Sequence, residues 1–211
     1  MNPGYLSLLL MLVTLILFAS GWKDFMIRGI TNTLILLFFI FWCIGMKLSV
    51  AIPYGHIQLN VLVLCAVIVR VLWRSHGHLY RLHLLSIGIL LGSVTFFMLE
   101  TLHLMPFLVI GNQEMTIALV IAVLLSFMTR NAGVQIAVAS LGLLLGDAYY
   151  RYLHRAHAGF QLGTLGFQDL WWLTICLTRG ISLVLAGVLS ACKKSALWLI
   201  EGIHRRSGDR E

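Results

Sequence analysis

The chain has 211 residues, of which 60% are hydrophobic and only 11% are charged, and its mean hydropathy is +0.93. A soluble globular domain carries about 25% charged residues, so this composition excludes that class and predicts a polytopic membrane protein. The formal net charge of +7 is explained by basic loops that face the cytoplasm. Nucleic-acid binding is not expected, because no basic, aromatic-rich soluble module is present to carry it.

Seven apolar segments follow one another along the chain, and a helix needs about 17–25 such residues to cross a bilayer. The first has no Lys or Arg before Lys23, so we expect a span there rather than a cleaved signal peptide. The fifth is short and nearly continuous with the sixth, so six spans remain an alternative to seven. The predicted spans cover residues 4–20, 31–50, 57–73, 84–106, 115–129, 132–150 and 170–190.

These segments predict an all-α fold, a single transmembrane helical bundle over residues 1–190, followed by a basic tail over residues 191–211. The tail places Trp198, Leu199 and Ile203 among basic residues. We expect it to lie at the cytoplasmic face of the bilayer and to contact anionic lipids there.

The basic residues predict the orientation of the bundle. With seven spans, three basic residues fall on one side, namely Lys47, Arg151 and Arg155. Because cytoplasmic loops carry the excess of Lys and Arg, we expect the N-terminus outside and the C-terminus in the cytoplasm. The eleven residues on the cytoplasmic side are Lys23, Arg28, Arg70, Arg74, Arg81, Arg130, Lys193, Lys194, Arg205, Arg206 and Arg210.

Apart from Lys47 and Arg70, which lie close to helix ends, three charged residues fall within the predicted spans. Arg179 lies about nine residues into the last span, or roughly 13 Å at 1.5 Å per residue, and an unpaired arginine at the centre of a helix costs about 2.5–3.5 kcal/mol. Asp147 and Glu100 are the acids that we expect to pair with it. The interpretation that we favour is an ion pair that fixes helix register. A substrate or ion site, and two acids that reach headgroup water, remain alternatives.

Small residues recur at four-residue spacing in two predicted spans, as Gly88-x-x-x-Gly92 and Gly142-x-x-x-Gly146. This spacing lets helix backbones approach closely in lipid. We favour packing within one molecule over a dimer interface.

Enzyme motifs are absent from the sequence, including a nucleophile elbow, a zinc-protease helix, a phosphate-binding loop and a dinucleotide fingerprint. Glu100 and His103 are three positions apart and would suit an acid–base pair, but a hydrogen bond between them is the commoner outcome. A zinc site at His154 and His157 has no evident third ligand. We therefore predict no catalytic residue, no cofactor and no metal.

Three stretches carry a resemblance to a known family: "FFMLETLHLMPFLV" (96–109), "LGLLLGDAYY" (141–150) and "GTLGFQDLWWL" (163–173). With the size of the chain, they resemble the YphA-like integral membrane proteins of spore-forming Gram-positive bacteria. The resemblance implies a bacterial plasma-membrane location and assigns no activity and no site residue.

The function that we predict is a non-enzymatic one, in which the chain acts by interaction or scaffolding with another membrane protein or a second copy. The alternative is a small transporter or channel with an outward-opening polar site built from Glu100, Asp147 and Arg179.

Overall fold

The computed structural model describes residues 2–27, 31–46, 48–52, 55–75, 77–105, 107, 109–155 and 160–208, but not the side chains of residues 24, 25, 52, 103 and 196–208. Four residues with a predicted role lie outside this description. Arg28, Lys47 and Arg210 were assigned to a side of the membrane, and His157 was considered as a zinc ligand.

Each of the seven predicted spans coincides with a helix. The helices are α1 (Tyr5–Ala19), the one-turn α2 (Lys23–Met26), α3 (Asn32–Gly45), α4 (Leu59–Arg74), α5 (His78–Leu104), α6 (Gln113–Met128), α7 (Ala132–Leu153) and α8 (Leu165–Gly208). Among the described residues, three stretches are long and apolar enough to cross a membrane, namely His78–Leu102, Ala132–Leu153 and Leu165–Ser195. Helices α1, α3 and α6 are apolar but shorter, with 15, 14 and 16 residues.

Successive long helices run in opposite directions. Helices α1 and α8 are parallel, because Ser7 contacts Asp169 and, seven positions later in both helices, Thr14 contacts Cys176. Contacts between residue pairs fix the other directions. Helices α3 and α4 are antiparallel, with Gly45 beside Asn60, and so are α7 and α8, with the pairs Ser140–Trp171 and Gln135–Arg179. Three helix pairs are parallel: α4 with α8 (Gln58–Gln168), α5 with α7 (Gly88–Leu141 and Thr95–Gly146) and α6 with α8 (Gly166–Glu114 and Ser126–Ser182).

A three-stranded sheet covers the end of the bundle where α3, α5 and α7 end, which we call the sheet end. Strands β1 (Ser49–Ile52) and β2 (Gly55–Gln58) form an antiparallel hairpin, and β3 (Phe160–Leu162) pairs with β2 in parallel. A Cβ at Gly55 would lie 1.7 Å from the carbonyl oxygen of Phe160, so the pairing with β3 requires glycine there.

The all-α prediction is therefore corrected to a helical fold with a small sheet. The second and third predicted spans extended over residues 49–50 and 57–58, which form strands instead. These residues pair with each other in the hairpin, so their backbone hydrogen bonds are satisfied between strands rather than along a helix.

The opposite end of the bundle collects basic side chains, and we call it the basic end. It is where α1, α4 and α6 end and where α5 and α7 begin, and it carries Lys23, Arg70, Arg74, Arg81 and Arg130. Arg151, near the last residue of α7, lies at the sheet end. The described residues thus reproduce the grouping of charges on which the predicted orientation depends.

The core is aromatic where α3 meets α8. Trp42 is fully buried and stacks on Trp171 with ring centroids 4.8 Å apart, and Phe39 stacks on Trp172 at 5.9 Å. The indole N–H of Trp171 donates to Ser140 Oγ of α7 at 2.9 Å. This cluster fills the space between α3, α7 and α8 with side chains.

Candidate functional site

Asp147 is bound within its own helix. Its side chain is buried near the end of α7 at 6% exposure, and Arg151 follows one turn later, a spacing that brings two helical side chains together. Arg151 Nε donates to both carboxylate oxygens, at 2.9 and 2.8 Å, while its Nη2 donates to Thr164 Oγ1 at 2.9 Å. The pair neutralises the buried acid and ties the end of α7 to the start of α8.

Arg179 joins a polar network at the basic end. Its Nη1 donates to Gln135 Oε1 of α7 at 2.8 Å. The Gln135 amide in turn donates to the carbonyl oxygen of Thr129 at 2.6 Å and to Ser182 Oγ at 2.7 Å, and Ser182 donates to Ser126 Oγ at 3.4 Å. The network therefore links α6, α7 and α8 where α6 turns into α7.

The expected pairing of Arg179 with Asp147 is replaced by these two separate sets of bonds. Gln135 precedes Asp147 by twelve positions in α7, which is about 18 Å of helix, so Arg179 cannot reach that acid. Helix α8 begins at Leu165, five residues before the predicted start of the last span. Arg179 consequently lies about 21 Å along α8 from its start, near the basic end, rather than roughly 13 Å from the outer end as predicted.

Glu100 lies at the sheet end and faces α7, not Arg179. Its Oε2 is 3.9 Å from Nε2 of His154, and both side chains are 45% exposed. His103 belongs to the last turn of α5, but its side chain is outside the described part of the structure. The four residues of the predicted polar cluster thus fall at two ends of the bundle.

The four glycines lie at one helix crossing inside the molecule. A Cβ at Gly88 would lie 2.4 Å from Leu141, and one at Gly142 would lie 2.7 Å from Leu91. At Gly146 the added atom would be 2.6 Å from Thr95 Cβ and 2.9 Å from the carbonyl oxygen of Gly92. The two small-residue motifs therefore face each other and bring the backbones of α5 and α7 together.

A family model described as a YphA-like integral membrane protein matches residues 22–197. The chain belongs to the YphA-like family. The resemblance inferred from the three sequence stretches is confirmed, and so is the assignment to the integral membrane proteins. No curated protein and no solved structure matches the chain.

Sequence reasoning missed two residues that organise this YphA-like protein, because it considered only charges inside spans. Gln135 is fully buried and bonds to two other helices. Asp169 is 3% exposed and binds the backbone at the start of α1. The sequence did contain one indication for Gln135, an amide side chain within an apolar segment. A buried polar side chain in a membrane helix needs a hydrogen-bond partner on another helix.

Two cavities in the described part of the YphA-like protein are lined by apolar side chains. One lies between α4, α5 and α7, against Ile68, Leu84 and Val138. The other is a groove of about 350 Å³ along α8, lined by Leu177, Gly180, Ile181, Val184 and Leu185. The polar groups at either end of the bundle are not found among these lining residues.

Proposed function

We propose that this YphA-like protein crosses the plasma membrane seven times and acts by contact with other membrane proteins, without catalysis. The sheet end would face the outside and the basic end the cytoplasm. The alternating helix directions support seven crossings, and the basic side chains gathered at one end support this orientation. The end of α8 would then approach anionic lipids at the cytoplasmic face.

The observation that carries an interaction role is the path of α8 beyond the bundle. Contacts pair Ser7 with Asp169, so the last residue of α1, Ala19, lies level with about residue 181 of α8. All described side chains from Ala186 to Ser195 are exposed. Residues 186–195 of α8 thus extend past the other helices, and the sequence stays largely apolar as far as Cys192.

Residues 184–192 of α8, which are exposed apart from the half-buried Leu185, offer a surface suited to another helix. Val184, Val188 and Leu189 are exposed by half or more. Gly187 has no atom within 4 Å of an added Cβ, whereas the glycines of α5 and α7 are filled by their partner helix. Small residues beside branched apolar ones let two helices pack closely. We assign the partner surface to this segment.

The transporter or channel alternative gains no support from the arrangement of its three residues. Asp147 forms an ion pair with Arg151, and Arg179 donates a hydrogen bond to Gln135. Glu100 faces His154. A transport site needs binding groups that converge on one pathway, and these three are held at separate places.

Site-specific photo-crosslinking in native membranes tests the proposal. A photoreactive residue at position 188 should give a protein adduct of defined mass. The matched control is position 89 of α5, where Ile89 is also well exposed at 59% and should give only lipid adducts. An adduct at twice the 23.6 kDa monomer mass would identify a second copy as the partner. Lipid adducts alone from both positions would overturn the proposal.

A further inference from the structure

We propose that Arg179 binds a phosphate group at the basic end of the bundle, either the headgroup phosphate of an anionic lipid or a soluble phosphate compound. The phosphate would bind the edge of the guanidinium that Nε and Nη2 form, beside the corner where α6 turns into α7. The inference is independent of the interaction role assigned to α8. It rests on how the guanidinium is held and on the charges around it.

The hydrogen bonds of Arg179 leave one edge of its guanidinium free. Nη1 donates to Gln135 Oε1 at 2.8 Å. Nε is buried and has no acceptor, and Nη2 donates to no residue in the described part of the chain. Together Nε and Nη2 form a rigid pair of donors that matches two oxygens of a phosphate. Because a buried charged donor without an acceptor is costly, an anion on this edge would stabilise the site.

Gln135 fixes the position of the guanidinium. Both hydrogens of its amide nitrogen are used, by the carbonyl oxygen of Thr129 at 2.6 Å and by Ser182 Oγ at 2.7 Å. The amide oxygen therefore accepts from Arg179, and the whole residue is fully buried. Donors that are held in place before a ligand arrives bind it at a lower cost in entropy.

Arg179 lies close to the basic end of α7. Its partner Gln135 is the fourth residue of that helix, so it lies about one turn, or about 5 Å, from the helix start. The Arg179 side chain is half-buried, so part of it can be reached from outside the bundle. An arginine near the end of a membrane helix can extend its charged group to headgroup level along its apolar stem.

The charges around this corner favour an anion. Arg130 is exposed in the turn between α6 and α7, next to Thr129. The first turn of α7 contains no acidic residue, and its N–H groups form the positive end of the helix dipole. The four acidic side chains that the structure describes lie at the sheet end, namely Glu100, Glu114, Asp147 and Asp169. Arg179 thus has no counter-ion among the described side chains, and a phosphate would supply one.

Thermal unfolding of the purified full chain in a non-ionic detergent tests the site. The delipidated protein is titrated with dioctanoyl phosphatidylglycerol, with inorganic phosphate, and with dioctanoyl phosphatidylcholine as a control for the acyl chains. We expect phosphatidylglycerol to raise the Tm of the parent, because a ligand that binds only the folded state stabilises it. Arg179→Gln should weaken this binding about tenfold or more, because the charge-assisted hydrogen bonds are lost.

Two further variants sharpen the comparison. Arg70→Gln is the matched control, since Arg70 is an exposed arginine of α4 at the same end of the bundle, and its response to phosphatidylglycerol should equal that of the parent. Arg179→Lys keeps the positive charge but replaces the two-donor edge by a single ammonium group. It should also bind more weakly, and it tests the edge if Arg179→Gln does not fold. The quantity compared is the rise in Tm on adding ligand, which a purely structural role of Arg179 would not change.

The ligands separate the two sources of phosphate. A rise in Tm with phosphatidylglycerol but not with inorganic phosphate would identify a lipid headgroup. A rise with both, lost in Arg179→Gln, would identify a soluble phosphate compound. Equal affinity of the parent and both Arg179 variants for phosphatidylglycerol would overturn the site. So would an equal effect of phosphatidylcholine in all variants, which would be an effect of the acyl chains, or a parent that none of the three ligands stabilises.

Discussion

The carboxylate of Asp169 on α8 accepts a hydrogen bond from the backbone N–H of Ser7, 2.5 Å away and 162 residues earlier in the chain. Its other oxygen accepts from the N–H of Gly4 at 2.7 Å. These N–H groups belong to the first turn of α1, where the helix dipole is positive. The first and last long helices are therefore joined by a buried charge at the sheet end.

Replacing Asp169 should loosen this junction. Asp169→Asn removes the charge and turns an amide N–H₂ toward backbone donors, so we expect the free energy of unfolding to fall by about 1.5–3 kcal/mol. Thermal unfolding in detergent measures the loss. Glu114→Gln is the matched acid-to-amide control, because Glu114 is a like charge near Asp169 and its removal should leave the Tm unchanged or higher. Equal stability of the parent and Asp169→Asn would contradict the junction.

Adding even one methyl group at the crossing of α5 and α7 should destabilise the protein. Gly146→Ala places Cβ against Thr95 and the Gly92 carbonyl, and overpacking of this kind costs about 1–3 kcal/mol. Gly180→Ala makes the same change in α8, where an added Cβ meets nothing within 4 Å, and should be neutral or stabilising. The comparison is made by thermal unfolding in detergent. A similar Tm in the two variants would count against the crossing.

Coupling energies should separate the two ends of the bundle. In a double-mutant cycle, Arg179→Met and Gln135→Leu should show an interaction energy of about 0.5–3 kcal/mol, as expected for bonded residues. Arg179→Met and Asp147→Asn should be additive within about 0.5 kcal/mol, because their sites are far apart. Free energies of unfolding of the single and double variants supply both cycles. Strong coupling of Arg179 with Asp147 would restore the pairing that the sequence suggested.

The helices were predictable from the sequence because hydropathy and length identify apolar helices one segment at a time. The start of α8 could not be predicted in this way. Its first residues include the polar pair Gln168–Asp169, which is buried only because α1 and α4 pack beside it. The five-residue error in that boundary displaced Arg179 from its true level. The sheet was missed because its strands are three or four residues long and depend on pairing between distant segments.

The candidate sites were less predictable than the helices. Charges were visible in the sequence, but their partners depend on which helices are neighbours. The neutral Gln135 accepts a hydrogen bond from Arg179, and His154, just after the end of α7, lies 3.9 Å from Glu100 of α5. The spacing of Gly88, Gly92, Gly142 and Gly146 indicated close helix packing, because small residues at four-residue intervals permit close contact, but it did not indicate which helix each motif would meet.

Cysteine labelling should reveal which end of the bundle faces outward. In a background without the four native cysteines, His56→Cys at the sheet end should react with a membrane-impermeant maleimide on intact cells. Lys193→Cys, an exposed position on the extension of α8, should react only after permeabilisation. This pattern follows from the excess of positive charge at the basic end. The reverse labelling would invert the proposed orientation.

Because the helices differ in length, the thickness of the surrounding bilayer cannot match all of them. Helices α1, α3 and α6 contain 14–16 residues, or about 21–24 Å, whereas a typical hydrocarbon layer is about 30 Å thick. With the seven crossings proposed above, the bilayer beside these helices has to thin by several ångströms, while α8 remains long enough to cross it fully. Such hydrophobic mismatch costs fractions of a kcal/mol per ångström and sorts proteins among membranes of different thickness. Short-chain lipids should therefore gather around α1, α3 and α6.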